Sequence, residues 1–376
     1  MATTPGADYL ARVSHPSLHV DPDIRRARTL PGWIYSDPAV LATAREKIFV
    51  PSRQLVGDLD QVKVPGQVQP FTLLEGLIDE PLVLTRDRDD QLHCLSNVCT
   101  YRGTCVVEGP AVETGLHCRY HGRRFGLDGK FQFMPEFEGV EGFPSPSDNL
   151  ARVPFGAWGP FVFASLAPEV PLETLLEPVT SRCAGLPLER ATLDAARSRE
   201  YLVRANWALY VENYLEGFHI PYIHAGLSAA LDYGEYRTEH FAWGNLQIGV
   251  AAKAEEVFAL PAGHPDHGSN IAAWYFWIFP NTMLNVYPWG ISVNVVRPIA
   301  PDRTRVSFLS YVWDASRIEL GAGASLDRVE REDEVIVESV QAGTRSRLYP
   351  GGRYSPKREE GVHQFHRMLA ERLSQS

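Results

Sequence analysis

The sequence predicts an α+β protein in which a small all-β domain precedes helices packed on an antiparallel sheet. Three observations predict it. Between about residues 50 and 165, short apolar runs such as Pro81–Thr85 and Phe161–Phe163 are broken by closely spaced Gly, Pro and Asp turn signals. Beyond 165, helical stretches at 206–219 and 326–346 flank strand-like runs at 246–252, 272–279, 291–297 and 304–313. The 376 residues are also enough for two cores. The expected division is an arm over 1–45 leading into a short helix near Asp37 to Lys47, an all-β domain over 46–165, and a second domain over 166–376.

Composition narrows the function. Hydrophobic residues make up 44% and charged residues 22%, the profile of a folded chain. The net charge of -10 and the lack of a long basic run argue against nucleic acid or an anionic membrane as the main partner. An acidic surface suits a cationic substrate, and it equally suits solubility. No apolar leader opens the chain and no eighteen-residue apolar run follows, so a cytoplasmic location is expected. The five cysteines are Cys94, Cys99, Cys105, Cys118 and Cys183. An odd number without an export signal reads as thiols or metal ligands.

On a helical wheel, 206–219 is two-faced. Glu212, Asn213, Glu216 and His219 fall on one side, and Trp207, Val211, Tyr214 and Phe218 on the other. A solvated polar face is one reading. The other uses His224, five residues on, with Pro221 bending or ending the helix so that both imidazoles converge. A second helix gives a stronger signal. Leu326, Val329, Ile336, Val337 and Val340 form an apolar stripe with Asp333 in its middle. A carboxylate there is costly unless it is paired, caps a backbone amide or binds a metal. Joined to His219 and His224, it completes two imidazoles and one carboxylate. Such a set holds one face of Fe(II) and leaves positions open for O2 and substrate.

Two loops carry a second metal pattern. The first reads Cys99-Thr-Tyr101-Arg-Gly103 and the second Cys118-Arg-Tyr-His121-Gly122. A Rieske [2Fe–2S] centre uses two cysteines on one iron and two histidines on the other. The second loop has its pair; the first has Tyr101 in place of a histidine.

The stretches Asn97–Gly103, Leu116–Phe125, Glu212–His224 and Glu332–Gln341 resemble, in order, the motifs of the Rieske non-haem iron oxygenases. The likeness is to ring-hydroxylating and choline-monooxygenase-like members and runs from about residue 27 to the C-terminus. It implies a Rieske domain over 46–165 and a helix-grip catalytic domain over 166–376, completed by the 1–45 arm. It implies a mononuclear iron on His219, His224 and Asp333, and a [2Fe–2S] cluster on Cys99, Cys118 and His121 with Tyr101 at the departing position. Either an altered cluster or a clusterless domain fits that departure. The resemblance also implies a separate reductase or ferredoxin and a homotrimer. In the trimer Glu216 would link a cluster histidine to an iron-ligand histidine across the interface.

The implied activity is O2-dependent hydroxylation or N-dealkylation of a small organic substrate. A clusterless ligand-binding or partner subunit is the alternative. The aromatics of Trp274–Phe279, Tyr287 and Trp289 read mainly as strand core, with some able to cage a quaternary ammonium. Met134–Gly139 and Gly352–Pro356 look closest to the choline and betaine branch, although an aromatic substrate suits the same residues.

Overall fold

The computed structural model describes residues 18–252, 257–324 and 326–374. The expectations for the first seventeen residues lie outside these. Seven α-helices are named in chain order: α1 (Pro38–Ala44), α2 (Leu172–Arg182), α3 (Trp207–Tyr214), α4 (Ile220–Ile223), α5 (Ala225–Ala230), α6 (Leu326–Thr344) and α7 (Glu360–Ser374).

Residues 54–164 form three antiparallel β-sheets with no α-helix among them, as the turn-rich texture of about 50–165 predicts. Leu92–Ser96, Glu80–Arg86, Gln67–Leu73 and Ala111–Val112 form one antiparallel sheet. Leu116–His117, Arg124–Phe125 and Phe131–Phe133 form a small second sheet. A third joins Gln54–Asp58, Phe161–Ala164 and Phe155–Trp158. Phe161 and Phe163 turn this last sheet toward the second half, where they share a core with Trp274, Phe276 and Leu172.

The second half is built on an eight-stranded antiparallel sheet. Its order is Thr192–Leu193, Arg303–Val312, Gly290–Ala300, Thr282–Tyr287, Ile271–Ile278, Gly244–Val250 and Arg237–Phe241, and Arg199–Val203 also pairs with Arg303–Val312. Every residue of Ile271–Ile278 and Thr282–Tyr287 is buried. Both faces are covered, so these strands read as continuous apolar runs rather than alternating ones. Trp277 and Met283 face a core with α3 and α7, while Trp274 and Leu284 face the core shared with α2 and Phe163.

Residues 18–49 pack into the α3–α7 core. Asp37 caps α1 by accepting from the Ala39 amide, and one wider turn at Arg45–Phe49 follows. Phe49 then meets Trp207 edge-on, with ring centroids 4.9 Å apart. Among the described residues, no helix is long and apolar enough to cross a membrane.

Two sequence expectations need correction. The helix expected over 206–219 ends at Tyr214, so Glu216 and His219 lie beyond it rather than on its polar face. The stripe on α6 is also narrower than predicted. Val337 is buried and Leu326 and Val329 line a cavity, but Val340 is exposed. Only one side of α6 meets the protein, and Val340 falls outside that contact.

Candidate metal centres and cavity

The convergence of His219 and His224 depends on how the chain breaks after α3. Asn206 caps the start of α3 with its side-chain oxygen, while its own amide is held 2.7 Å from Gln341 of α6. This fixes α3 against α6. After α3 ends, His219 and His224 bracket the single turn of α4, one at each end, and Pro221 lies within its first turn. Pro is well placed there because it has no N–H to leave unsatisfied. The bend predicted at Pro221 is therefore a fresh helical start.

Across from them, α6 presents Asp333. Its Oδ1 lies 3.0 Å from His224 Nε2 and 3.5 Å from His219 Nε2. Donor atoms of the three residues lie within 4.8 Å of one another. The outward nitrogens are each held by another carboxylate. Glu216 Oε1 is 2.6 Å from His219 Nδ1, and Glu332 Oε2 is 2.8 Å from His224 Nδ1. Asn213 Nδ2 donates to Asp333 Oδ1 at 2.7 Å. Each Nε2 is thus aimed at the common point while its Nδ1 is tied back, an arrangement that fixes tautomer and ring direction around a metal.

Electrostatics follow the same geometry. Burial works against the His224 imidazolium, but hydrogen bonds and charge from Asp333 and Glu332 outweigh it and leave its pKa raised. Glu332 is lowered by its hydrogen bond to His224 and then by Arg328, 2.9 Å away. The orienting role of Glu332 was not legible in sequence. Its one signal is its place directly before Asp333, which puts it on the adjoining side of α6. Glu332→Gln is expected to weaken iron binding by roughly 10–100-fold, read by anaerobic Fe(II) titration. Unchanged affinity would exclude the role.

The triad opens on a cavity of about 100 Å³. Tyr210, Tyr214, Tyr236, Tyr275 and Tyr287 contribute to its walls, and no Lys or Arg lines it among the described residues. Tyr275 is the exception within Trp274–Phe279: Trp274, Phe276 and Trp277 are core, as predicted, while Tyr275 reaches the cavity.

The two Cys loops are near copies in backbone. In each, the Cys carbonyl accepts from a Gly amide four residues on, Gly103 at 3.0 Å and Gly122 at 3.1 Å. Each Cys amide donates in return to Thr104 or Arg123. Both glycines have positive φ, 75° and 77°, a conformation that disfavours side chains. Cys99 and Cys118 are buried, while Cys105 is exposed and outside this arrangement. Burial raises the Cys99 pKa, as does the facing Cys118 thiol, against the amides of Tyr101 and Arg102 that favour thiolate. The Tyr101 and His121 rings meet at 5.0 Å between centroids and 77°. Buried Arg123 ties the loops together through Thr100 and Asp148 at 2.6 and 2.8 Å.

With the geometry in place, comparison with known proteins decides the family. The family described as ring hydroxylating alpha subunit (catalytic domain) matches residues 188–375. The Rieske [2Fe-2S] domain matches residues 52–144. This chain belongs to the Rieske-type ring-hydroxylating oxygenases. It is 32% identical to a chloroplastic choline monooxygenase of Arabidopsis thaliana, over 94% of this chain and 85% of that protein. It is 29% identical to the carnitine monooxygenase oxygenase subunit of Escherichia coli K12, over 92% of this chain and 94% of the relative. Among solved structures, an inhibitor complex of a quaternary ammonium Rieske monooxygenase superposes with a TM-score of 0.76 at 24% identity, covering 94% of this chain and 99% of the other.

The chain is accordingly an oxidoreductase, a Rieske non-haem iron oxygenase that acts on a small substrate and draws electrons from a separate reductase or ferredoxin. Its two family domains imply a mononuclear non-haem iron and a [2Fe–2S] cluster. The iron is well matched by the converging donors of His219, His224 and Asp333. For the cluster, Cys99, Cys118 and His121 supply suitable donors on matched loops. Beside them on the first loop stands Tyr101, whose phenol ring meets His121 edge-on.

Proposed function

We propose that this oxygenase hydroxylates a small trialkylammonium compound of the choline or betaine type, with iron held by His219, His224 and Asp333. The cavity wall carries the reading. Among the described residues, five tyrosines and no Lys or Arg surround the space next to the three ligands. Aromatic faces attract quaternary ammonium ions, which have no N–H to donate. The quaternary-ammonium oxygenases among its relatives point the same way.

The balance is one C–H bond, O2, two electrons and two protons giving one C–OH bond and water. Where the hydroxylated carbon bears nitrogen, the C–N bond then breaks to an amine and a carbonyl compound. Bound iron supplies O2 activation beside the substrate. This chain's residues do the rest. Glu216 and Glu332 hold the imidazoles, Asn213 fixes Asp333, and the tyrosine walls place the substrate and exclude water. Cys99, Cys118 and His121 take the cluster, with Tyr101 at the fourth place.

The same proposal includes a homotrimer with a cytoplasmic location. Tyr120 beside His121, and Phe218 and Tyr222 around His219, are exposed aromatics next to the two metal sites. They suit a subunit contact joining one chain's cluster to its neighbour's iron, with Glu216 between them. None of the five cysteines is in a disulfide, which suits a reducing compartment. The proposed division is 1–45 and 166–376 for the catalytic part and 46–165 for the Rieske part.

The test is substrate-dependent O2 uptake by Fe(II)-loaded protein with a reductase and NADH. Choline, glycine betaine and carnitine are compared with naphthalene. Uptake with an ammonium compound, together with its hydroxylated or dealkylated product, is expected. Uptake with naphthalene alone would overturn the substrate class.

A further inference from the structure

Three carboxylates line the cavity: Glu216, Glu330 and Asp333. Two are occupied. Asp333 faces both imidazoles and accepts from Asn213, and Glu216 holds the His219 ring. Glu330 is different. It lies one turn before Asp333 on α6, largely out of solvent, and among the described residues it has no hydrogen bond or ion pair. A half-buried carboxylate without a partner is costly to keep charged, and an arriving cation lowers that cost.

Two of the wall tyrosines are committed elsewhere. The Tyr214 hydroxyl donates to Asn285 Oδ1 at 2.9 Å, and that of Tyr236 to Gln247 Oε1 at 3.1 Å. These tyrosines therefore offer ring surface rather than free donors. The charged groups acting on Glu330 are mostly of its own sign: Asp327, Glu334 and Asp333 on α6, opposed by Arg199 from the neighbouring strand. Tyr210 and Tyr287 also feel its charge. Arg199 lines an adjoining chamber that shares Glu330 as a wall, rather than the cavity itself.

We propose that Glu330 selects for charge in this cavity, its carboxylate lying against the cationic nitrogen of the bound substrate while the tyrosine rings surround the methyl groups. This rests on the trialkylammonium reading and adds the residue that enforces it. A quaternary nitrogen needs a counter-charge without a hydrogen bond. An unpaired carboxylate in an aromatic chamber meets that need, and it leaves a neutral molecule of the same shape facing a desolvated acid. Burial and the surrounding carboxylates push its pKa up to about 8, and an arriving cation favours the charged form.

Calorimetric titration of the Fe(II)-loaded protein separates the outcomes. The probes are choline and 3,3-dimethylbutan-1-ol, its neutral isostere with carbon in place of nitrogen. Wild type is expected to prefer choline by about 10-fold or more. Glu330→Gln should lose most of that preference with little change for the isostere. Glu330→Asp should retain part of it. Iron content is measured alongside. A Glu330→Gln protein that keeps the wild-type preference overturns the role of Glu330 and leaves the substrate class standing. A wild type that does not distinguish the two probes overturns the substrate class itself. Loss of iron from Glu330→Gln would make Glu330 a support of the metal site and overturn the inference.

Discussion

Asp333→Ala is expected to leave a folded protein whose iron affinity has fallen by more than about 100-fold and whose turnover is lost. The size follows from geometry. Substitutions of residues that only orient metal ligands already cost roughly 10–100-fold, and Asp333 is placed as a ligand. Its Oδ1 is the atom that both Nε2 nitrogens face, at 3.0 and 3.5 Å. It is also the only carboxylate in the converging set. Without it, two neutral imidazoles remain, which cannot balance the charge of Fe(II) in a partly buried site. The fold should persist, because α6 is anchored elsewhere. Gln341 ties it to Asn206, Glu338 to Arg204 at 2.9 Å, and Val337 to the core. Metal analysis after dialysis, with circular dichroism as the control, checks both halves. Full iron retention would remove Asp333 from the ligand set.

How far the sequence reached depends on which physical signal each residue left. Asp333 was legible because a carboxylate between Val329 and Ile336 on a helical period breaks a pattern. His219 and His224 were legible as converging residues, but the place of the helix break that brings them together was not. The wheel continued α3 to residue 219, whereas the chain leaves the helix after Tyr214 and restarts at α4. Helical period describes a continuous helix and cannot report a break between two short ones. Glu332 and Glu330 left no periodic signal, since charged residues on a long helix usually face water. Their roles come from which side of α6 meets the cavity, and that is a tertiary fact. The all-β half was legible from its turns. The central strands were legible only as apolar runs, because both of their faces are covered. Thr282–Tyr287 was missed as a separate strand, since Met283–Tyr287 continues the apolar texture on either side of the Asn281 turn.

Tyr101→His is expected to raise both the acid-labile sulfide held per chain and the reduction potential of the Rieske domain. The loop is already shaped for the exchange. Its backbone repeats that of the histidine-bearing loop, with Gly103 and Gly122 at nearly equal φ. The ring of residue 101 also meets His121 at 5.0 Å and 77°, almost the relation of the two iron-site histidines, 5.0 Å and 79°. What differs is the donor. A phenol, with a reference pKa of about 10, binds iron well only as phenolate, and then adds a negative charge that an imidazole does not. Exchanging two thiolates for two imidazoles raises a [2Fe–2S] potential by roughly 250 mV or more. Removing one phenolate should therefore raise it by on the order of 100 mV. The phenol also reaches farther from the backbone than an imidazole nitrogen, and Arg102, Phe137 and Arg123 crowd its ring at 5.0, 5.4 and 5.9 Å. The smaller ring relieves that crowding and brings a neutral donor to the fourth place. Sulfide analysis, visible absorption and electron paramagnetic resonance of the reduced protein give the readout independently of turnover. Equal sulfide and an unchanged spectrum in wild type and variant would show that residue 101 does not govern the cluster, and would move the search to the buried Arg123 that ties the loops together.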